Sequence, residues 1–300
     1  MKPSKKLNNL FNFFIIFSVL VLLIGISGCP QEEGKKIETV GLTLSFIENA
    51  PPNDVIVGQK FPIYVETSNQ GDSTINAGDV KIYISGVGAN LEGVAKVLSN
   101  RGFMAKGSIE RLDFAKEAKF TLPIEMPFSL RILARSCYGY GTDAQANICV
   151  AASNTTTICN MDGEKISANT AAPVQVSNFQ EELIANKLYV SFTIENKGSG
   201  EVSLPTLDCD KREAFELSET LKQNKVKMLV TTEAGWNCKV QTETEPYTAM
   251  DSLVGAVPVG SRISCFKTVS GEEAHVVPFI INLHYKYRDS LIKQINVLPS

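Results

Sequence analysis

The sequence predicts an all-β protein: a β-sandwich built twice, carried behind an N-terminal export segment. Three observations carry this reading. Apolar and polar residues alternate with a period of two through most of the chain, which is the pattern of half-buried strands. Clusters of Asn, Gly, Pro and Asp separate the runs, as turns require. The landmarks of the first half return in the same order in the second.

The 300-residue chain opens on Lys2, Lys5 and Lys6. An apolar run from Leu10 to Ile26 follows, broken only by Asn12, Ser18 and Gly25, and Ile26-Ser27-Gly28-Cys29 closes it. A positive start, an apolar middle and small residues before a cut make a secretory signal. The closing cysteine resembles a lipoprotein lipobox, which implies that Cys29 takes a diacylglyceryl thioether and becomes the new N-terminus. Residues 1–28 are then the signal peptide, and residues 29–37 the lipid-bearing cysteine with a polar tether. The alternative is an uncleaved anchor, since roughly 20 apolar residues also span a bilayer. In both readings the lysines stay inside, so the remainder is extracytoplasmic and the membrane is its first partner.

Residues 38–152 form the first predicted domain. Val40, Leu42, Leu44 and Phe46 alternate with small polar residues until Pro51-Pro52-Asn53-Asp54 breaks the run. Phe61, Ile63 and Val65 alternate in a strand ending at Asn69-Gln70-Gly71. Val80, Ile82 and Ile84 follow, then a stretch over 91–99 whose apolar spacing fits a short helix or a strand equally. Phe120, Leu122 and Ile124 give one further strand, and Ile132 and Ala134 another. Cys137 to Val150 reads as a hairpin turning near Gly141-Thr142-Asp143. Residues 153–172 are poor in large apolar side chains and read as a linker. Asn154-Thr155-Thr156 within it is either an N-glycosylation sequon or a plain polar loop.

Residues 173–300 form the second predicted domain. Leu188, Val190, Phe192 and Ile194 alternate up to Asn196-Lys197-Gly198, which matches Asn69-Gln70-Gly71 at an offset of 127. Val226 to Val230 matches Val80 to Ile84 at 146, and Tyr285-Lys286-Tyr287 matches Tyr138-Gly139-Tyr140 at 147. The change of offset, between the first landmark and the second, places an insertion of about 20 residues between the second and third strands of the second copy, over Glu201 to Asn224. It contains Cys209 and a predicted short helix over 211–221, with Ala214, Leu217 and Leu221 at helical spacing.

The two strands that end in Asn-x-Gly resemble those of CARDB-type Ig-like domains of prokaryotic, including archaeal, cell-surface proteins. The resemblance implies two tandem immunoglobulin-like β-sandwich domains with a binding, adhesion or spacer role. It carries over no catalytic residue. With Cys29 lipidated, six cysteines remain, and an even count in an exported chain reads as disulfides. Six cysteines allow 15 connectivities. If the domains are Ig-like, strand polarity favours Cys137–Cys149 across the hairpin, Cys159–Cys209 at the linker, and Cys238–Cys265 between two strands.

Three of the 29 basic residues precede Cys29, leaving 26 basic against 32 acidic residues, a formal charge of −6. That balance, without basic runs, argues against nucleic acid. The two histidines, His275 and His284, make a poor metal set. Gly-x-Ser-x-Gly and Walker loops are absent. Residues 160–164 lack the full ligand series of a calcium loop and read as a tight turn. No metal, cofactor or catalytic residue is expected. Trp236 either packs over the Cys238–Cys265 bridge or serves as an exposed anchor. Tyr138, Tyr140, Tyr285 and Tyr287 either pack or form a contact surface, with Tyr140 and Tyr287 the binding candidates.

The expected function is a membrane-tethered, non-catalytic binding, adhesion or structural module of the cell envelope, whose partner is another envelope protein or a glycan. The alternative is an accessory subunit of a transporter, pilus or surface layer. The third class is a carboxylate-dependent hydrolase.

Overall fold

Alternating side chains demand a partner strand on each edge, and strand pairing organises the chain. The structure is a computed structural model describing residues 40–86, 90–153, 158–163, 165–241, 248–249, 254–271 and 273–300. The leader, Cys29 and Asn154 lie outside the described residues. Strand makes up 60% of the described residues and helix 4%, so the all-β class holds, in a β-sandwich-like arrangement.

The first copy contains β1 (Leu42–Phe46), β2 (Asp54–Ile56), β3 (Lys60–Asn69), β4 (Lys81–Ser85), β5 (Leu91–Glu92), β6 (Val97–Ser99), β7 (Ile109–Phe120) and β8 (Phe128–Val150). The second begins with β9 (Ile166–Asn169), β10 (Val174–Ile184), β11 (Lys187–Asn196) and β12 (Glu201–Ser203). Two short helices follow, α1 (Cys209–Glu213) and α2 (Leu217–Thr220). It continues with β13 (Lys225–Thr231), β14 (Asn237–Gln241), β15 (Thr248–Ala249), β16 (Val254–Pro258), β17 (Arg262–Thr268) and β18 (His275–Leu298). One sheet runs β1-β3-β7-β5 and another β10-β11-β17-β14-β15. A central sheet runs β16-β13-β18-β8-β4-β6, with β12 and β2 also on β18 and β9 on β8.

The sequence offsets reappear as register. Strand β3 maps onto β11 at 127, and the pair Lys81↔Cys137 of β4 and β8 becomes Lys227↔His284 of β13 and β18. The two copies share the central sheet. Strands β8 and β18 run antiparallel from Val150↔His275 to Phe128↔Val297 without a shift. The stretch read as a linker contributes β9 to this sheet, so the copies meet through paired backbone.

This pairing corrects the hairpin expected over 137–150. Residues Ile132, Ala134, Ser136, Tyr138, Tyr140, Thr142, Ala144, Ala146 and Ile148 all face inward. The period of two passes through Gly141-Thr142-Asp143 unbroken, and β18 satisfies the backbone along the whole length. The disulfides change with it. Cys137 and Cys149 stand twelve residues apart on one straight strand, about 40 Å, and cannot bond. Cys137 bonds Cys209, and Cys149 bonds Cys159. Cys238–Cys265 forms between β14 and β17, where the two residues are directly opposed.

Two further elements settle or differ. Residues 91–99 form strands β5 and β6. The helix expected over 211–221 is instead α1 and α2, separated by a reversal in which Phe215 has φ 60°. Asp208 caps α1, its carboxylate accepting from the Asp210 and Lys211 amides. Leu217 and Leu221 point outward, 76% and 70% exposed. Among the described residues no helix is long and apolar enough to cross a membrane.

Candidate functional site

The predicted binding aromatics are in the interior. Trp236, Tyr140 and Tyr287 are 6%, 4% and 2% exposed, which removes them as surface anchors. Trp236 packs edge-on against Phe279 at 5.5 Å, and Phe279 in turn meets Phe179 and Phe192. The four tyrosines form a ring at the middle of the shared sheet. Tyr140 is directly opposite Tyr285, and Tyr138 opposite Tyr287, with ring centroids 5.7–6.4 Å apart around the cycle.

Each hydroxyl is satisfied in a way the repeat predicts. Tyr138 accepts from the Leu42 amide, and Tyr285 accepts from the Val174 amide. Tyr140 donates to Asn69 Oδ1, and Tyr287 to Asn196 Oδ1. The amides of those asparagines donate in turn to the Ser73 and Gly200 carbonyls, both at 2.8 Å. Burial pushes all four phenols up from their ordinary value, so they stay neutral. The Asn-x-Gly landmarks are thus sockets for the Tyr-x-Tyr landmarks, a structural role.

The open feature lies elsewhere, on the outward face of the β10-β11-β17-β14-β15 sheet. It is a groove of about 1030 Å³. Its floor comes from the polar halves of alternating strands whose other halves, Leu188, Val190, Phe192, Ile263 and Cys265, are wholly buried. Tyr189 and Phe266 are directly opposed on β11 and β17, their rings 6.0 Å apart and tilted by 36°. Lys187 and Lys239 bring their ammonium groups to 5.4 and 5.8 Å from the Phe266 ring centre. Such cation–π contacts contribute about 0.5–1 kcal/mol at exposed sites. Arg262 donates to Ser191 Oγ at 2.8 Å and Gln180 Oε1 at 3.3 Å.

Among the described residues, no carboxylate lies within ion-pair distance of Lys187, Lys239 or Arg262. The equivalent face of the first copy differs. There Lys60 pairs with Glu117 at 2.7 Å and Arg111 with Asp113 at 2.6 Å. In the second copy the acids stand to one side: Asp162 on the 161–163 loop, and Glu181 and Glu182 on the edge strand β10.

Glu181 stands apart from its neighbours. Its side chain is buried; Oε1 accepts from the Cys149 amide at 2.8 Å, and Oε2 lies 3.7 Å from Lys165 Nζ. Desolvation outweighs both, and the carboxyl is pushed up to about 7. His284 is exposed, while His275 lies 3.4 Å from Glu233. Among the described residues, no group of three or more His, Cys, Asp or Glu side chains is placed to hold a metal.

No family model matches this chain, and no curated protein matches it. Among solved structures it is similar to a secreted serine protease, VesC from Vibrio cholerae, at a TM-score of 0.19 and 11% identity. The match covers 80% of this chain and 49% of that one, so this chain spans about half its length. A likeness at that level carries no argument about fold or activity.

Proposed function

We propose that this chain is an extracytoplasmic, membrane-tethered binding module of the cell envelope, without catalytic activity. It is built as two Ig-like copies that share one sheet, of the CARDB type that its Asn-x-Gly strands resemble. Three disulfides support an oxidising, extracytoplasmic setting. The lysine-led apolar leader supports export, and Cys29 supports the lipid tether.

The observation that carries the reading is the open groove on the second copy. Its floor side chains rise from three hydrogen-bonded strands, which hold them in fixed relative positions. Binding sites on such elements lose little freedom when a partner arrives. The test is co-sedimentation of the purified chain with detergent-extracted cell envelopes. The wild-type chain is expected to pellet, and Lys187→Gln/Lys239→Gln to remain in the supernatant. Equal pelleting of both chains, with both folded, removes the groove from the function.

A second reading, an accessory subunit of a larger envelope assembly, draws on the insertion. Phe215, Leu217 and Leu221 are 74%, 76% and 70% exposed within seven residues, and exposed apolar clusters mark contact sites. Stoichiometric co-purification from membranes in mild detergent, lost in Leu217→Asp, favours that reading.

A further inference from the structure

We infer that the groove of the second copy takes an acidic glycan, a polysaccharide chain that carries carboxylates and free hydroxyls together. The inference deepens the proposed binding role and rests on it.

The argument starts from what the floor lacks. Lys187, Lys239 and Arg262 share one sheet face with no carboxylate at ion-pair distance among the described residues, in a chain whose overall charge is negative. Two of the three ammonium or guanidinium groups flank one ring, Phe266, from the strands on either side of it. An anionic group set between the two ammonium groups, off the face of the ring, would accept from both lysines. From Phe266 to Arg262 is four residues of one strand, about 13 Å. The cations are therefore spread along the groove, which fits a chain better than a single small anion.

Tyr189 and Phe266 form a broad apolar platform between these charges. Sugar rings present flat C–H faces, and such faces settle on aromatic rings. Gln180, Gln241, Ser191 and Ser264 supply amides and hydroxyls around the platform. The acids decide between ligand classes. Asp162 and Glu182 line the side of the same groove, and carboxylates can only accept hydrogen bonds. Sugar hydroxyls donate to them. Polyglutamate and polydeoxynucleotide chains bring a charge at every step but no free hydroxyls along the chain to donate to these acids. A ligand with carboxylates for the floor and hydroxyls for the wall satisfies both sets.

The experiment uses the full chain in detergent, run by affinity electrophoresis through gels containing polygalacturonate, its methyl ester, polyglutamate or oligothymidylate. Polygalacturonate is expected to retard the chain and the other three to leave it unretarded. Lys187→Gln/Lys239→Gln, on exposed side chains, is expected to weaken binding by about tenfold or more, the loss of two charge-assisted contacts, while the variant stays folded with a melting temperature lowered only by the loss of the two cation–π contacts to Phe266. Tyr189→Ala is expected to weaken it as well. Equal retardation by the methyl ester overturns the acidic specificity while leaving envelope binding intact. Equal retardation by polyglutamate or oligothymidylate, no retardation by polygalacturonate, or full binding by the folded double variant overturns the inference.

Discussion

The hydroxyl of Tyr140 donates to Asn69 Oδ1 at 2.9 Å, across 71 residues of chain, and both groups are buried. In the second copy Tyr287 makes the same bond to Asn196. Tyr140→Phe leaves the asparagine oxygen without that donor, which costs about 1–3 kcal/mol. Gly71→Ala and Gly198→Ala should cost at least as much, because the added Cβ would occupy the space of the Tyr140 and Tyr287 hydroxyls. Urea denaturation of each variant measures this, and an effect near zero contradicts the socket.

The pH dependence of stability should carry the signature of Glu181. Its carboxyl is raised from 4.5 to about 7 in the folded chain. The folded state therefore holds the proton where the unfolded state has lost it. This group's contribution is greatest below about 4.5, falls as pH rises to about 7, and is flat above. The span is at most about 3 kcal/mol. Glu181→Gln keeps an acceptor for the Cys149 amide and should flatten the slope between those two pH values. Melting temperatures from pH 4 to pH 8 compare the two chains, and parallel profiles contradict the assignment.

The disulfides should contribute unequally. Cys137–Cys209 closes a sequence separation of 72 and Cys149–Cys159 one of 10. On the chain-entropy account these are worth about 4.4 and 2.7 kcal/mol. Cys209→Ser should thus lower stability more than Cys159→Ser does. A peptide map of the unreduced protein checks the pairing itself, and a Cys137–Cys149 peptide is the outcome that contradicts it.

Much of the fold was legible because strand burial has a short period. Phe61, Ile63 and Val65, and likewise Leu188, Val190, Phe192 and Ile194, are buried as their alternation predicts. The repeat was legible because Asn-x-Gly and Tyr-x-Tyr are two halves of one contact. The straight course of β8 was not. Gly-Thr-Asp is turn chemistry, and the partner that keeps it extended lies more than a hundred residues away in β18. The Cys137–Cys149 pair followed from that local reading, and Cys159–Cys209 from placing both cysteines at the linker end of the second copy; the bonds formed are Cys137–Cys209 and Cys149–Cys159.

The groove was hidden for a related reason. Tyr189 belongs to the outward set of its strand, and an aromatic on a polar face was the available signal. Lys187, Lys239 and Arg262 are scattered in sequence and come together only through the pairing of β11, β17 and β14. Conversely, Trp236, Tyr140 and Tyr287 drew notice as aromatics although their strand parity placed them inside.

The most direct test of an exported module with an open groove is labelling at the groove itself. Lys239→Cys puts a thiol on the exposed floor, and intact cells are treated with a membrane-impermeant maleimide. The account predicts that this variant is labelled on intact cells, as fully as after lysis, and that the wild-type chain is labelled in neither case. Labelling that appears only after lysis would contradict it.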